Sequence, residues 1–293
     1  MSGASTSSAR EISYAHSAQT RSGRAMIRLM ENTTGRLGLI KRAKGYEREV
    51  EAGRSFFEVM TERYGLSLDI AAGSLETIPR QGPVIFIANH PFGILDGLMM
   101  GQMMHQTRGD FKIMANVVFR KAPDIDRHLL PISFDDTREA MALNVRTRKN
   151  ALAYLSEGGS IGIFPGGTVS TSAKPFSRPL DPGWRAFTAR MIAKSRAQVV
   201  PIYFSGNNSR MFQIASHLHY TLRMGLMIKE FKKRVDTPVR VVIGAPIGRD
   251  ILDPLASDGK AMMDFLREAT YQLSPEPLKT GALGFEFEGR YRA

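Results

Sequence analysis

The stretch that decides the fold runs from residue 84 to residue 97 and reads Val84-Ile85-Phe86-Ile87-Ala88-Asn89-His90-Pro91-Phe92-Gly93-Ile94-Leu95-Asp96-Gly97. Its first five residues are apolar and rich in β-branched side chains, which predicts a buried strand. The chain then turns through Asn89 and His90 before a helical segment begins. In open α/β sheets ligands bind beyond the carboxyl ends of the strands, so this turn is well placed for chemistry.

Five further apolar runs of strand length follow and alternate with helical segments. The predicted strands are residues 84–88, 111–114, 129–133, 160–164, 199–204 and 239–243, and the predicted helices are residues 95–105, 145–157, 184–195 and 222–234. This alternation predicts an α/β fold, a single domain with a mixed β-sheet covered by helices and an N-terminal helical segment. We expect residues 1–22 to be a disordered N-terminal segment and residues 23–293 to form the domain, with its N-terminal helical part at residues 23–65.

The amino-acid composition limits the classes of binding partner and the cellular compartment that we expect for this chain. The chain carries 40 Lys and Arg against 28 Asp and Glu, a formal net charge of +12 at pH 7, which favours anionic partners. Because it has no cysteine, it has no disulfide framework and no thiolate nucleophile, which fits a reducing, cytoplasmic compartment. No apolar run is long enough to cross a bilayer. Residues 1–22 hold seven serines and no hydrophobic block, so they are no secretory signal, although an arginine-containing, acid-poor start is also typical of a mitochondrial presequence.

Two basic segments carry much of the positive charge. Between residues 10 and 44 eight basic residues stand against two acidic ones, and apolar residues recur there near helical spacing. The second segment, residues 223–240, contains Arg223, Lys229, Lys232, Lys233, Arg234 and Arg240. Both suit the anionic surface of a membrane, and ordinary solvated helix faces are the alternative. We expect no nucleic acid partner, because no recognised module interleaves these cations with stacking aromatics.

His90 and Asp96 are the candidate catalytic pair. A hydroxyl needs a base to take its proton as it attacks a carbonyl, and an imidazole can serve as that base. The imidazole in turn needs an orienting group, and the Asp96 carboxylate could hold its Nδ1 and fix the tautomer. The alternative is structural: His90 caps the following helix and Asp96 is a solvated acid of its first turn.

Two later turns also follow predicted strands. The first reads Phe164-Pro165-Gly166-Gly167-Thr168, and the free N–H groups of such a glycine turn can hold an oxyanion or a phosphate. The second begins with Val200-Pro201-Ile202 and ends in a glycine turn at residue 206. A Pro-Gly-Gly sequence on its own is typical of an ordinary turn.

The three motifs in this order resemble the lysophospholipid acyltransferase family, which includes the lysophosphatidic acid acyltransferases. The resemblance covers residues 84–206. It implies that His90 is the general base, that Asp96 orients it, and that a fatty acyl group passes from a thioester of acyl carrier protein or coenzyme A to the hydroxyl of a lysolipid. No metal and no cofactor are implied. The substrate-binding residues that it implies are Asn89, Phe164, Pro165, Gly166, Gly167, Thr168 and Pro201.

Departures from the common family pattern point to a particular branch. Five residues, not four, separate His90 from Asp96; Gly replaces the usual Glu at position 166; and Asp135 and Asp136 stand where an arginine often grips the acceptor phosphate. The His-Pro-x-Gly-x-x-Asp-Gly form, with Asp181-Pro182-Gly183-Trp184, is similar to a bacterial branch labelled hemolysin-like, which includes acyltransferases acting on lyso-ornithine lipid.

The branch implies a preferred acceptor but leaves alternatives. An aspartate pair suits a cationic ornithine headgroup better than a phosphate, although Asp136-Thr137-Arg138-Glu139 also fits a helix capping box. We therefore expect a lyso-ornithine lipid O-acyltransferase of membrane lipid biosynthesis, bound peripherally to the cytoplasmic face of the inner membrane. The alternatives are a lysophosphatidic acid acyltransferase and a non-catalytic, hemolysin-like lipid-binding protein.

Two weaker patterns point elsewhere. Residues 158–162 match the G-x-S-x-G pattern of serine hydrolases, but the predicted helix precedes the serine and the predicted strand follows it, which inverts the order that a nucleophile elbow requires. His217 and His219 could share one face of a strand, but no third ligand lies near them in sequence, so we expect no metal site.

Overall fold

A computed structural model describes residues 12–18, 20–117, 119, 123–133, 135 and 137–287. A seven-stranded sheet lies at its centre, one strand more than the six that the sequence predicted. In chain order its strands are β1 (Ser67–Ala72), β2 (Val84–Ala88), β3 (Lys112–Asn116), β4 (Leu129–Ile132), β5 (Ser160–Ile163), β8 (Gln198–Phe204) and β9 (Pro238–Ile243). The two remaining strands, β6 (Thr171–Ser172) and β7 (Pro179–Leu180), form a small antiparallel ribbon.

The sheet is mixed, and its order across the molecule is β1-β9-β8-β2-β5-β3-β4. Five neighbouring strands, from β8 to β4, run parallel to one another. β9 is antiparallel to β8, and β1 is parallel to β9. The carboxyl ends of β2, β5 and β8 therefore meet at the same edge of the sheet.

Helices cover both faces of the sheet. They are α1 (Arg21–Thr34), α2 (Arg36–Ala43), α3 (Tyr46–Glu51), α4 (Phe56–Arg63), α5 (Ile94–Arg108), α6 (Pro123–Asp126), α7 (Arg138–Ser156), α8 (Ala186–Ser195), α9 (Arg210–Leu218), α10 (Tyr220–Lys232), α11 (Arg249–Leu252) and α12 (Gly259–Gln272). Within the described residues, none of these helices combines the length and the apolar character needed to span a membrane.

The side chains of β2 alternate between two apolar layers. Phe86 belongs to the layer that α2, α4 and α5 build, together with Phe57 and Met99. Ile85 and Ile87 belong to the opposite layer, which α7, α8 and α12 build. Since both faces of the strand are buried, residues 84–88 form a continuous apolar run and not an alternating one.

The N-terminal segment departs from the predicted disorder of residues 1–22. Residues 12–18 and 20–22 are described and ordered against the domain, whereas residues 1–11 and 19 lie outside the described residues. The Glu31 side chain, fully buried on α1, accepts hydrogen bonds from Ser13 Oγ at 2.6 Å and from the Tyr14 N–H at 2.5 Å. Its partners are 17 and 18 residues away, so the local serine-rich composition did not indicate this contact.

All six predicted strands and all four predicted helices are present, with shifted ends. The prediction missed β1, α9 and α12. β1 is an edge strand with four exposed residues, so it lacks the apolar run of a buried strand. α9 contains His217, and His219 follows it as the N-cap of α10, so the two histidines do not share the face of a strand.

Two glycines of α5 provide a test of how tightly this layer packs. A Cβ at Gly101 would lie 2.1 Å from the Phe57 ring, whereas a Cβ at Gly97 would meet nothing within 4 Å. We expect Gly101→Ala to lower the free energy of unfolding by about 1–3 kcal/mol through overpacking. Gly97→Ala, the matched control, should raise it by about 0.5–1 kcal/mol through helix propensity. Urea unfolding followed by circular dichroism measures both, and equal effects would contradict this packing.

Candidate active site

The site lies at the sheet edge where β2, β5 and β8 end. These strands are parallel neighbours, so the loops that follow them, residues 89–93, 164–170 and 205–209, converge there. Each of the three sequence motifs supplies one of these loops. Motifs separated by more than 110 residues in the chain are thereby brought into one place by strand pairing.

A single buried carboxylate oxygen organises the first loop. Asp96 Oδ2 accepts hydrogen bonds from the backbone N–H groups of Phe92 at 2.8 Å and Gly93 at 2.9 Å. His90 Nδ1 lies 2.9 Å from the same oxygen. The ring N–H is not aligned with Oδ2, as is common for catalytic hydrogen bonds before substrate binds. Gly93, between His90 and Asp96, has φ +92°, a conformation that glycine adopts without the strain that a Cβ would bring.

Burial sets the electrostatics of the pair. Asp96 is fully buried, and this loss of solvent raises the pKa of its carboxyl group. The neighbouring His90 ring and the two backbone N–H groups act in the opposite direction, because they stabilise the carboxylate. A carboxylate that lacks solvent depends on its few donors, so it favours the His90 tautomer with the proton on Nδ1.

The other nitrogen of His90 is then the one that can accept a proton. The His90 side chain keeps 19% of its surface exposed, whereas Asp96 has none. The ring stacks on Phe164, with the centroids 4.3 Å apart and the planes at 26°. This contact joins the first motif to the second. Phe164 covers a face of the imidazole, while Asp96 lies at its Nδ1 edge. An orientated, partly exposed imidazole has the geometry of a general base.

The glycine turn lies directly beside this ring. The Gly167 N–H donates to the Phe164 carbonyl at 3.0 Å, so this group is committed to the turn and is not an oxyanion donor. Among the described residues the N–H groups of Gly166 and Thr168 make no such bond. A Cβ at Gly166 would lie 3.3 Å from the Asp181 side chain, so a large residue such as Glu does not fit there without movement.

Asn89 and Pro201, two predicted substrate-binding residues, act within the sheet. Asn89 is buried, and its amide brackets the backbone of Phe204: Nδ2 donates to the carbonyl at 2.9 Å, and Oδ1 accepts from the N–H at 2.7 Å. Pro201 is buried in β8 opposite Ile87, and its carbonyl accepts from Gly244. These contacts hold the strand ends that carry the loops.

Asp181 is a buried residue of the site to which the sequence analysis assigned no role. Its Oδ1 accepts from the His90 N–H at 3.2 Å and from Ser170 Oγ at 2.5 Å, and its Oδ2 accepts from Trp184 Nε1 at 2.9 Å. Its own N–H donates to the Tyr271 hydroxyl. Asp181 thus ties the His90 backbone to the segment after the glycine turn. The Asp-Pro-Gly-Trp sequence was the available signal.

Arg223 is a residue that the sequence analysis placed wrongly. It was predicted to face lipid, yet it is 2% exposed and lies beneath the glycine turn. It donates to Thr168 Oγ1 at 3.3 Å and to the Val169 carbonyl at 3.0 Å. Burial lowers its pKa to about 10. It also donates to Thr171 Oγ1 at 2.7 Å and to Ser216 Oγ at 2.8 Å, so it joins the turn to α9.

The patterns that we set aside remain outside the site. Ser160 is buried at the start of β5 and follows α7, which is the inverted order expected for a non-hydrolase. His217 Nε2 contacts the Ser172 carbonyl at 2.9 Å. In the part of the chain that the structure describes, no group of three or more metal-ligating side chains comes together. Thr137 caps α7 by accepting from the Ala140 N–H, while Asp136 lies outside the described residues.

Comparisons with known proteins agree with this geometry. A family model described as acyltransferase matches residues 44–278, most of the chain. The chain belongs to the acyltransferase family. The lyso-glycine lipid O-acyltransferase of Phocaeicola vulgatus is 21% identical to this acyltransferase over 230 residues, which cover 76% of this chain and 79% of that protein. The protein of the same name from Bacteroides thetaiotaomicron is 21% identical over 234 residues, with 78% and 82% covered.

One solved structure also resembles this acyltransferase. The 1-acyl-sn-glycerophosphate (LPA) acyltransferase PlsC from Thermotoga maritima superposes with a TM-score of 0.47 at 15% identity, over 88% of this chain and 83% of that one. The predicted resemblance to lysophospholipid acyltransferases and the prediction of an enzyme are confirmed by the family match. The non-catalytic alternative is set aside.

The pair His90 and Asp96 predicts a defined pattern of kinetic defects. We expect His90→Ala to lower kcat for acyl transfer by about 10²–10⁴-fold, because the general base is lost. Asp96→Asn should also lower kcat, since the ring loses its orienting charge, and the double variant should be little worse than His90→Ala. His105→Ala, on the same helix as Asp96, is the control. Unchanged kcat in His90→Ala would refute the role of the pair.

Proposed function

We propose that this acyltransferase transfers a fatty acyl group from a thioester, of acyl carrier protein or coenzyme A, to the hydroxyl of an amino-acid lysolipid, lyso-ornithine lipid in particular. The reaction serves membrane lipid biosynthesis at the cytoplasmic face of the inner membrane. The observation that carries the proposal is the His90 ring, held 2.9 Å from the buried Asp96 carboxylate beside the glycine turn.

The geometry supports a direct transfer without a covalent acyl-enzyme. His90 Nε2 takes the proton of the acceptor hydroxyl as its oxygen forms a bond to the thioester carbonyl carbon. The N–H groups of Gly166 and Thr168 stabilise the oxyanion, and the Arg223 charge beneath the turn favours the same negative charge. The C–S bond then breaks, and the imidazolium returns the proton to the leaving thiolate.

An amino-acid headgroup is supported by what surrounds the acceptor site. Position 166 holds glycine, and Asp135 and Asp136 follow β4 where the family often has an arginine, so two groups that the family commonly uses toward the acceptor and its phosphate are missing. Thr137 supplies the cap of α7, and Asp135, at the end of β4, accepts from Ser133 Oγ at 3.0 Å and keeps its side chain exposed. Both named relatives act on lyso-glycine lipid, an acceptor whose name specifies an amino acid.

A membrane surface is supported by apolar side chains on the two helices that flank α10. Leu29 on α1 is 66% exposed and Leu218 at the end of α9 is 70% exposed. Arg21 and Arg24 on α1 and Arg210 on α9 are exposed beside them. Exposed apolar residues with interspersed cations are typical of helices that lie on anionic lipid. Arg36 and Arg223 do not contribute, since both are buried.

The membrane surface predicts a selective loss of vesicle binding. We expect Leu29→Ser and Leu218→Ser each to weaken partitioning onto anionic vesicles by about tenfold, because a buried leucine contributes about 1.5–3 kcal/mol. Val145→Ser on α7 is the matched control, since Val145 is 63% exposed but lies on another helix. Vesicle sedimentation at low and high salt measures the effect. An equal loss in Val145→Ser would count against this surface.

The proposed reaction predicts a preference among lysolipids. Purified protein should acylate lyso-ornithine lipid with a higher kcat/KM than lysophosphatidic acid, with acyl carrier protein and coenzyme A thioesters compared as donors. The control is His90→Ala, which should lose transfer to every acceptor. Mass spectrometry of the diacylated product gives the readout. A preference for lysophosphatidic acid would overturn the acceptor assignment and leave acyl transfer intact.

A further inference from the structure

A cavity of about 600 Å³ opens beside the catalytic loop and has no part in the chemistry described above. Its wall includes Asn89 and Pro91, the two residues that flank His90 in the chain, and Ser170, whose N–H donates to the His90 carbonyl. The loop between β8 and α9, residues 205–209, and the first turn of α9 form another part of the wall. A molecule in this cavity would therefore lie against the loop that carries His90.

The loop of residues 205–209 is held by side chains from α9, from α10 and from the segment after α10. Arg234 donates to the Asn207 carbonyl at 3.2 Å and stacks over the Phe92 ring at 4.3 Å. Glu230, buried on α10, accepts from the Ser209 N–H at 2.9 Å and from its hydroxyl. Gln213 Nε2 donates to the Asn208 carbonyl. The loop is thus a fixed wall and not a mobile edge.

Two polar groups of this wall lack partners. Asn208 is 4% exposed, yet its Nδ2 makes no hydrogen bond with any described residue. The same is true of Ser205 Oγ. A buried donor without a partner costs about 1–3 kcal/mol, so an unmatched amide in an otherwise well-bonded loop calls for an explanation. Both residues line the cavity, so a ligand with an acceptor oxygen can supply what the protein does not.

The charges around the cavity favour an anionic group. Arg210 and Arg178 line it, against the single carboxylate of Glu276, which pairs with Arg178 at 2.8 Å. The N-terminus of α9, a helix of nine residues, also faces this wall, and its free N–H groups favour negative charge. A ligand with one anionic group and one neutral acceptor would match this arrangement.

We propose that this cavity binds the headgroup of the acceptor lysolipid, with the amino-acid carboxylate toward Arg210 and the start of α9 and the amide oxygen toward Asn208 Nδ2. The assignment rests on the proposed function, because an amino acid acylated on its nitrogen presents these two groups together. The headgroup then holds the acceptor against the loop that carries His90. It explains how an acyltransferase without the phosphate-binding arginine selects its acceptor.

The kinetic test uses Asn208→Asp, which removes the amide donor and adds a charge that repels a carboxylate. We expect the KM for the amino-acid lysolipid to rise at least about tenfold, with a smaller change in kcat and an unchanged donor KM. Asn150→Asp on the exposed face of α7 is the matched control. An unchanged acceptor KM in folded Asn208→Asp, or an equal rise in Asn150→Asp, would overturn the assignment.

A binding test keeps this inference separate from the proposed function. The probe is N-acetylglycine, titrated into the wild-type protein while the Asn208 side-chain amide resonance and the fluorescence of Trp184, the only tryptophan, are followed. We expect saturable shifts with N-acetylglycine, weaker shifts with the uncharged N-acetylglycinamide, and none in Asn208→Asp. Tighter binding of glycerol 3-phosphate than of N-acetylglycine would indicate a phosphate site in place of a carboxylate site and would overturn the proposal.

The two tests fail in distinguishable ways. If no lysolipid is acylated but N-acetylglycine still shifts the Asn208 resonance, the proposed function falls and the carboxylate site stands. If lyso-ornithine lipid is acylated but neither the KM nor the resonance responds at Asn208, the cavity assignment falls and the proposed function stands.

Discussion

The site depends on one buried carboxylate. Asp96 Oδ2 accepts hydrogen bonds from two backbone N–H groups of the loop and lies 2.9 Å from His90 Nδ1. The same oxygen therefore holds the loop conformation and favours one tautomer of the imidazole. Because Asp96 is fully buried, water cannot replace these partners. The ionised state of this side chain is stabilised only when the loop is correctly folded, which couples the backbone geometry to the base.

A second buried carboxylate and a buried cation position the rest. Asp181 joins the His90 backbone to Ser170, while Arg223 holds Thr168 and the Val169 carbonyl from below. The glycine turn is therefore fixed on both sides, with its Gly166 side packed against Asp181. Under the proposed reaction, dipoles fixed in this way would stabilise a developing oxyanion without reorganising.

The N-terminal segment and α10 connect the surface to this frame. Tyr14, held by Glu31 of α1, places its hydroxyl 3.5 Å from where a Cβ of Gly93 would lie, and Met227 of α10 packs against the same glycine. α10 also carries Arg223 and, about two turns further along, Glu230. One helix thus supports the glycine turn, the wall of the cavity and the packing of α1.

The sequence by itself determined the α/β class, the central strands and the pair of His90 and Asp96, because each rests on local signals: an apolar run, a turn and a short spacing. It also indicated that Phe164 belongs near His90, since parallel strands end at a common edge. Only the tertiary structure decided the roles of Asp181, Arg223, Asn89 and Asn208. Asp181 contacts His90, 91 residues away, Arg223 contacts Thr168, 55 residues away, and Asn89 contacts Phe204, 115 residues away. These pairings emerge only when the loops converge. Because these contacts are long-range, the sequence suggested that Arg223 is a surface cation, whereas in the fold it is buried and holds the glycine turn.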